Sequence, residues 1–354
     1  PPGMLQNADG LPAAPADVPE DYPLDITWSG ILVDEENHPD DIVGRVREAL
    51  QVIWKDRADA IEQEACEILK VKDKPRENLD ALRVYFRDPN KFFKDHLARY
   101  SKSRRKAPIY WPLSTESGSF TLWIYYHHLD SQTLYTCIEI VEKKREDLGK
   151  TIQALRSKIG TEGSADERQK LEDLTEFQSE LKTFQERLLE VAALPYRPNL
   201  NDGVQITAAP LWQLFRHKPW QTVLKKTWGE LKKGKYDWAH LATSIWPDRV
   251  APLCTKDISL AIAHGIEDLL WVPDLESKKK DQLRPLKSPE EEIKLLRKAD
   301  FSAKDIEAAE DDVDLAEKAG VRDQLWVEQP EGNWRRRLPL KEEVDGEIAR
   351  LKGR

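Results

Sequence analysis

The strongest pattern of apolar positions lies between residues 138 and 194. On each side of the turn-forming segment 160–164, apolar residues recur at alternating intervals of three and four, which places them on one face of a helix. In the second arm they are Leu171, Leu174, Phe177, Leu181, Phe184, Leu188 and Val191. Ser164 with Glu167 is a capping box that would begin this arm. The pattern predicts a long antiparallel helical hairpin, interpreted as a structural spacer, with a partner-binding helix as the alternative.

Shorter patterns surround this hairpin. Amphipathic helices are predicted from Asp40 or Asp41 and from Ala58, and the β-branched and aromatic residues 119–126 predict a strand that pairs with residues 109–113. After Pro195 the spacing of Trp and Leu indicates short packed helices, and no internal repeat is evident. The predicted fold class is mainly α with a small β-hairpin or sheet (α+β), in which the long antiparallel helical hairpin protrudes from a Trp-rich helical core.

The same patterns divide the 354 residues into five segments. We predict a linker or tail of a preceding domain at 1–40, a helical domain with a basic-aromatic loop and a short β-hairpin at 41–137, the antiparallel hairpin spacer at 138–194, a compact Trp-rich helical domain at 195–273 and a charged helical tail at 274–354. The sequence begins Pro1-Pro2-Gly3 without a Met, as a piece of a larger protein would.

Charge and cysteine content narrow the class of protein. The net charge of -9 would repel phosphate, so any nucleic-acid contact needs a local basic patch. The 3 cysteines are far apart and lack metal-ligand spacing, which is typical of buried thiols in a reducing, cytoplasmic compartment. No apolar run approaches the length of a membrane span, so no membrane association is expected.

The search for catalytic motifs returns little. The sequence has no Gly-rich phosphate loop and no Gly-x-Ser-x-Gly elbow. Asp88-Pro89-Asn90-Lys91-Phe92 is similar to the Asn-Pro-Pro-aromatic motif of amino-methyltransferases, but it lacks the second Pro and an upstream cofactor loop, so we interpret it as a helix N-terminus. The histidines lack ligand partners at metal-binding spacing. We therefore predict no catalytic residue, no metal and no cofactor in this chain.

One stretch departs from the acidic background. Residues 91–111 carry seven Lys or Arg against the single acid Asp95. Within it, Tyr100, Lys102, Arg104, Arg105 and Lys106 are the candidate DNA-binding residues, because Lys and Arg neutralise phosphates and an aromatic ring stacks on bases. Tyr110 and Trp111 would anchor the loop. A solvated basic loop with buried aromatics explains the same composition, and both interpretations stay open.

A second set of basic residues adjoins Trp220. The candidate DNA-binding residues here are Arg216, Lys218, Lys225 and Lys226, which could extend the same surface. The alternative is a solvated helix face whose aliphatic stems cover the tryptophan.

At these residues the sequence resembles a known family. The stretch from Tyr100 to Ser114, the strand residues 120–127 and the segment from Asn199 to Trp212 resemble the C-terminal region of the large adenine-specific DNA methyltransferases of BREX phage-defence systems, the PglX type. Residues 236–241, Trp246-Pro247-Asp248-Arg249-Val250 and residues 259–265 resemble it as well. The matching blocks run from about Asp40 to Trp271, and the tail after Pro273 matches no family.

The resemblance implies a function for this chain, which follows from what enzymes of the family do. Enzymes of this family transfer a methyl group from S-adenosylmethionine to adenine N6, and their N-terminal domain holds the cofactor and the catalytic motif. The resemblance thus implies a non-catalytic, DNA-binding or specificity-supporting region of an antiviral restriction-modification enzyme. Its expected partners are double-stranded DNA, an upstream methyltransferase domain and other defence-system proteins. The alternative is a protein–protein scaffold of the defence complex without direct DNA contact.

Overall fold

The chain divides into two compact units, residues 1–233 and residues 234–354. The computed structural model describes residues 29–74, 79–102, 105–159, 163–274, 276–277, 282–287, 291, 295, 309, 312–328 and 332–336. These residues form a mainly α protein with small antiparallel sheets, which confirms the predicted α+β class. The boundary between the units falls inside the predicted segment 195–273.

The larger sheet of unit 1 contains three antiparallel strands in the order β1–β5–β4. They are β1 Ile31–Val33, β4 Tyr110–Ser114 and β5 Thr121–Tyr125. The predicted hairpin is confirmed, since β4 pairs with β5 from Tyr110↔Tyr125 to Ser114↔Thr121. Its turn needs Gly118, whose φ of 84° is in the region that favours glycine. Pro112 is tolerated because β4 is an edge strand.

Strand β1 corrects the prediction of a linker at 1–40. Ile31 and Val33 are 1% and 0% exposed, and they pair with Ile124 and Leu122 of β5. A three-residue strand is too short to show a period of two, and its partner is distant in sequence, so the pattern of the segment alone suggested a linker. Residues 1–28 of that prediction lie outside the described part of the chain.

Helices of unit 1 surround this sheet. They are α1 Ile42–Trp54, α2 Ala58–Ile68, α3 Ala81–Arg87, α4 Phe92–Arg99, α5 Thr133–Ile159, α6 Ala165–Ala192, α7 Val204–Ala208 and α8 Lys218–Lys232. Asp41 caps α1 as predicted, because its side chain accepts from the Gly44 N–H. The predicted helix N-terminus at Asp88–Phe92 is confirmed, since α4 begins at Phe92 and the Asp88 carboxylate accepts from the Asn90 N–H at 2.8 Å.

A buried group of ion pairs joins three of these elements. The Arg83 guanidinium donates to Asp34, just after β1, at 2.6 Å and to both carboxylate oxygens of Asp41 at 2.9 and 2.7 Å. Arg87 also donates to Asp34. Because Asp41 is at the same time the cap of α1, these contacts tie β1, α1 and α3 together. The sequence pattern did not reveal this group, since its members are far apart along the chain.

Helices α5 and α6 pair antiparallel, as the heptad pattern predicts. The Tyr135 hydroxyl reaches the Ala192 carbonyl at one end, and Lys158 pairs with Glu167 at 3.3 Å at the other. The predicted capping box of Ser164 and Glu167 is present. The base of the pair packs on the sheet through Phe184, whose ring meets Phe120 edge-on at 6.4 Å. Residues 160–162 lie outside the described part.

Unit 2 consists of short helices and two-stranded hairpins. Its elements are α9 His240–Ile245, α10 Pro247–Cys254, α11 Ile258–His264, α12 Glu267–Leu270, β6 Trp271–Pro273, β7 Leu283–Pro285, α13 Val313–Lys318, α14 Arg322–Leu325, β8 Trp326–Glu328 and β9 Trp334–Arg336. Strand β6 pairs with β7, and β8 pairs with β9. Ala309, Ala316, Val321 and Leu325 form a small core. This core corrects the prediction of a charged helical tail from residue 274.

Unit 2 also contains an internal repeat, contrary to the sequence interpretation. At an interval of 55 residues, Asp257, Leu260, Ala261, Gly265, Asp268, Leu270, Trp271 and Val272 recur as Asp312, Leu315, Ala316, Gly320, Asp323, Leu325, Trp326 and Val327. Both glycines have a positive φ, 64° and 73°, between a first helix and a second. The repeat is hard to detect from the sequence because helices of four to seven residues give no periodic pattern.

Candidate nucleic-acid interface

The basic-aromatic stretch folds into a two-stranded antiparallel ribbon. Its strands are β2, Ser101–Lys102, and β3, Arg105–Lys106, with Ser101 opposite Lys106 and Lys102 opposite Arg105. The Ala107 N–H donates to the Tyr100 carbonyl at 3.0 Å and closes the root of the ribbon. The side chains of Lys102 and Arg105, and Arg104 as a whole, lie outside the described part. The ribbon therefore brings the two strands' basic positions side by side.

A buried histidine fixes the root of the ribbon. The His96 Nε2 atom accepts from two backbone N–H groups, those of Ile109 at 3.0 Å and Tyr110 at 3.1 Å. An imidazole nitrogen that accepts twice carries no proton. Burial, helped by the nearby charge of Arg99, lowers the His96 pKa to about 4, which keeps the ring neutral. Sequence reasoning missed this role, because the acceptor and its donors belong to different elements.

Neutral His96 predicts a pH effect on stability. In the unfolded chain the His96 pKa is near 6.5, and in the folded protein it is about 4, so between these values the unfolded state binds more protons. We expect the free energy of unfolding to fall as pH drops from about 6.5 to about 4. NMR titration of the His96 ring should give the lowered pKa. The pH dependence of His96→Gln should be weaker than that of the wild type, and an equal dependence would contradict the assignment.

Two aromatic residues of the basic-aromatic stretch, Trp111 and Tyr110, are packed into the fold, and a third, Tyr100, is partly exposed. Trp111 is 0% exposed and its indole N–H donates to the Pro108 carbonyl at 2.8 Å. Tyr110 stacks on Tyr125 with centroids 5.0 Å apart. These contacts confirm the predicted anchoring of the loop by Tyr110 and Trp111. Tyr100 is 40% exposed and packs near His96 with ring centroids 4.7 Å apart, so part of its ring is accessible at the root of the ribbon.

Helix α4, which leads into the ribbon, lies against the N-terminus of α8. Burial lowers the pKa of His217, and the charges of Lys106 and Lys94 lower it further. The His217 side chain caps α8 by accepting from the Trp220 N–H, and its ring meets Phe93 edge-on at 5.6 Å. The structure therefore brings the first predicted basic segment next to the start of the second.

Arg216 has a different environment from the other predicted contacts. Its guanidinium donates to the Arg87 carbonyl at 3.1 Å and lies directly under the turn at Gly118, where an added Cβ would come within 1.9 Å of it. Burial lowers the pKa of Arg216, partly offset by Asp88 and Glu180. The side chain is therefore committed to the fold beneath the β4–β5 turn.

The lysines of α8 form an exposed row. Lys218, Lys225 and Lys232 are spaced by seven residues, so they share one side of the helix about 10 Å apart. The Lys225 ammonium lies over the Trp212 ring at 4.8 Å, and that of Lys232 over Trp228 at 5.0 Å. The exposed Lys226 lies beside Lys225. The row can offer positive charge at intervals along a polyanion.

Other chemistry in the described residues is limited. Cys66, Cys137 and Cys254 are buried thiols as predicted, and burial raises the pKa of Cys137 to about 12, which makes it unreactive. Across the described ranges, no three His, Cys, Asp or Glu side chains converge as a group that could hold a metal ion. No helix in those ranges combines the length and apolar character that crossing a membrane requires.

Comparison with known proteins shows a distant similarity to a methyltransferase. No family model matches the sequence. The chain is 26% identical over 197 residues to the adenine-specific methyltransferase BrxX of Escherichia coli O9:H4 (strain HS). The aligned region covers 52% of this chain and 16% of that enzyme, so the chain spans only a small part of its relative's length. Over about half of its residues, the chain is thus distantly similar to an adenine-specific methyltransferase.

Proposed function

We propose that unit 1 is a non-catalytic DNA-binding region that supports the specificity of an N6-adenine DNA methyltransferase in a BREX-type defence system. The observation that carries the proposal is the contact of Phe93 on α4 with His217, whose ring centroids are 5.6 Å apart. It brings the basic segment 91–111 next to the N-terminal end of the lysine row on α8. Basic positions gathered in this way on an acidic chain suit a phosphate backbone.

The shape of the ribbon supports DNA as the ligand. A two-stranded antiparallel ribbon fits the major groove of B-DNA, and basic side chains on both strands can reach phosphates on either side of it. We propose that Lys102, Arg104, Arg105 and Lys106 contact phosphates from the ribbon. The fixed root, held by His96 and Trp111, limits the conformational entropy that binding would remove.

The row on α8 would extend the contact. Lys218, Lys225 and Lys226 would reach the backbone beyond the ribbon, and Tyr100 would add an aromatic face at the ribbon root. Arg216 is left out of this surface, because its guanidinium is held beneath the β4–β5 turn. The methyl transfer itself belongs, in this proposal, to an upstream domain that binds S-adenosylmethionine, since this sequence has neither the Gly-rich loop nor the Asn-Pro-Pro-aromatic motif.

Removing the ribbon charges tests the proposal. The variant with Lys102, Arg104, Arg105 and Lys106 replaced by Ala should bind a 30-base-pair duplex more weakly than the wild type. The slope of log K against log salt should become shallower by about 0.9 for each phosphate that the variant no longer neutralises. Fluorescence anisotropy at several salt concentrations measures both quantities.

A matched control separates local contact from net charge. Replacing the exposed Lys143, Arg156, Arg168 and Lys170 of α5 and α6 by Ala removes the same two lysines and two arginines elsewhere. That control should keep the wild-type salt slope. Equal slopes of log K against log salt in the ribbon variant and the wild type would contradict DNA binding by the ribbon. The alternative would then hold, a protein–protein scaffold of the defence complex, which the net charge of -9 and the repeat of unit 2 favour.

A further inference from the structure

Three tyrosines at the root of the ribbon have hydroxyls that bond to no protein group among the described residues. They are Tyr100, Tyr110 and Tyr125, which together are called the tyrosine cluster. The other tyrosines described in unit 1 each donate from the hydroxyl to a protein oxygen; they are Tyr85, Tyr126, Tyr135 and Tyr196. Because the hydroxyl of a tyrosine packed into a protein usually has a partner, three such hydroxyls at one place point to a ligand.

The tyrosine cluster belongs to a continuous row of five aromatic rings. Measured between ring centroids, His96 lies 4.7 Å from Tyr100 and 5.9 Å from Tyr110. Tyr125 lies 5.0 Å from Tyr110 and 5.3 Å from His127. Tyr110 and Tyr125 are neighbours because they are paired across β4 and β5, and Tyr100 joins them because it ends α4 directly before β2. The row therefore begins where the ribbon begins.

The rings of the row are partly accessible. Tyr100 is 40% exposed, and Tyr110, Tyr125 and His127 are partly buried. The tryptophan that follows Tyr110 on β4, Trp111, is by contrast 0% exposed. The fold thus encloses the apolar ring of this strand and leaves the neighbouring rings with hydroxyls within reach of a ligand. A tyrosine of this kind offers an aromatic surface and a polar group together.

The row is uncharged at neutral pH. Burial raises the pKa of Tyr110 to about 12 and also raises that of Tyr125, so both hydroxyls keep their protons. His96 is neutral, as described above. Among the described residues, the Lys and Arg side chains that lie over aromatic rings do so elsewhere, and none lies over this row. A flat, neutral ligand with polar edges suits such a site better than a phosphate, which calls for positive charge.

We propose that the tyrosine cluster binds a nucleobase that is unpaired and turned out of the DNA stack. The ring of Tyr100 would stack on the base, and the hydroxyls of Tyr110 and Tyr125 would form hydrogen bonds with its polar edge. The inference rests on the DNA binding proposed for unit 1, since the basic positions of the ribbon would hold the backbone beside the base. A backbone phosphate at the hydroxyls is the competing ligand.

Two DNA duplexes that differ in one unpaired base test the proposal. The full chain is mixed with an intact duplex and with the same duplex carrying one extrahelical 2-aminopurine, a fluorescent adenine analogue. Anisotropy should show on the order of tenfold tighter binding of the second duplex, because stacking on aromatic side chains contributes at least that much per base. The fluorescence of 2-aminopurine should fall on binding, since the analogue is quenched when it stacks.

Tyrosine variants make the test specific to the cluster. Tyr100→Ala should abolish most of the preference for the unpaired base, because it removes the stacking ring. Tyr110→Phe with Tyr125→Phe keeps both rings, removes both hydroxyls and should reduce the preference about fivefold. Its urea midpoint should stay at the wild-type value, since neither hydroxyl bonds to the protein. The matched control, Tyr85→Phe with Tyr135→Phe, removes two hydroxyls that have protein partners and should keep the preference.

The remaining outcomes overturn the inference, and they separate it from DNA binding itself. If both sets of cluster variants keep the preference, the cluster does not bind the base. An equal loss of affinity for the two duplexes would assign the hydroxyls of Tyr110 and Tyr125 to a phosphate. A lower urea midpoint in their double Phe variant would assign those hydroxyls to the fold. Ribbon-dependent binding without a preference would contradict the base site alone, whereas a ribbon without effect on binding would contradict both proposals.

Discussion

Replacing Arg83 with Met is expected to lower the free energy of unfolding by about 3–5 kcal/mol, because two buried carboxylates lose the guanidinium that they share, while Asp34 keeps its contact with Arg87. The Asp34 and Asp41 side chains are 1% and 7% exposed, so water cannot compensate for the missing guanidinium. Asp41 also caps α1, and the destabilisation should therefore spread from α3 to the start of α1 and the end of β1. Urea denaturation followed by far-ultraviolet circular dichroism measures the change.

Two further variants make this prediction specific. Arg47→Met removes ion pairs with Glu62 and Asp80 whose shared arginine is 40% exposed, and it should lower the free energy of unfolding by less than about 1 kcal/mol per pair. The triple variant Arg83→Met, Asp34→Asn and Asp41→Asn removes the buried charges together and should recover part of the stability. If Arg83→Met and Arg47→Met lower the free energy of unfolding by the same amount, the buried ion pairs of Arg83 do not stabilise the fold more than exposed ion pairs do.

Replacing Trp111 with Ala is expected to lower the free energy of unfolding by about 3–5 kcal/mol, the usual cost of emptying a buried tryptophan site. The ring is 0% exposed and packs near Tyr126 and Phe215, with centroids 5.4 and 6.3 Å away. Its removal also leaves the Pro108 carbonyl without its indole donor. Because Trp111 helps to fix the ribbon root, duplex affinity should fall along with stability.

Tyr100→Ala is the informative comparison for Trp111→Ala. Tyr100 is 40% exposed, so its removal should change stability by less than about 1 kcal/mol. If its open face contacts nucleic acid, affinity should fall while stability is kept. Urea unfolding and anisotropy measured on the same preparations separate the two effects. A decrease in stability in Tyr100→Ala as large as in Trp111→Ala would contradict the division into anchor and exposed ring.

The sequence by itself determined the elements whose signal is local and repeated. The α5–α6 pair was predictable because a seam of apolar residues over many turns has few other solutions, and Ser164 with Glu167 marks the start of α6. The β4–β5 hairpin was predictable from its β-branched and aromatic residues and the turn at Gly118. The anchoring of the basic stretch by Trp111 was also predicted, but the stretch forms a two-stranded ribbon where the sequence predicted a loop.

Only the tertiary structure decided the features that join distant residues. Strand β1 is a strand because β5 offers it a partner, and Arg83 is buried because two carboxylates from other elements surround it. His96 holds the ribbon root through donors beyond its own helix, while the guanidinium of the half-buried Arg216 lies against Gly118. The repeat of unit 2 became evident from the two glycines of positive φ that stand between matching helices. Side-chain environment depends on pairing across the fold, and spacing along a chain does not carry that information.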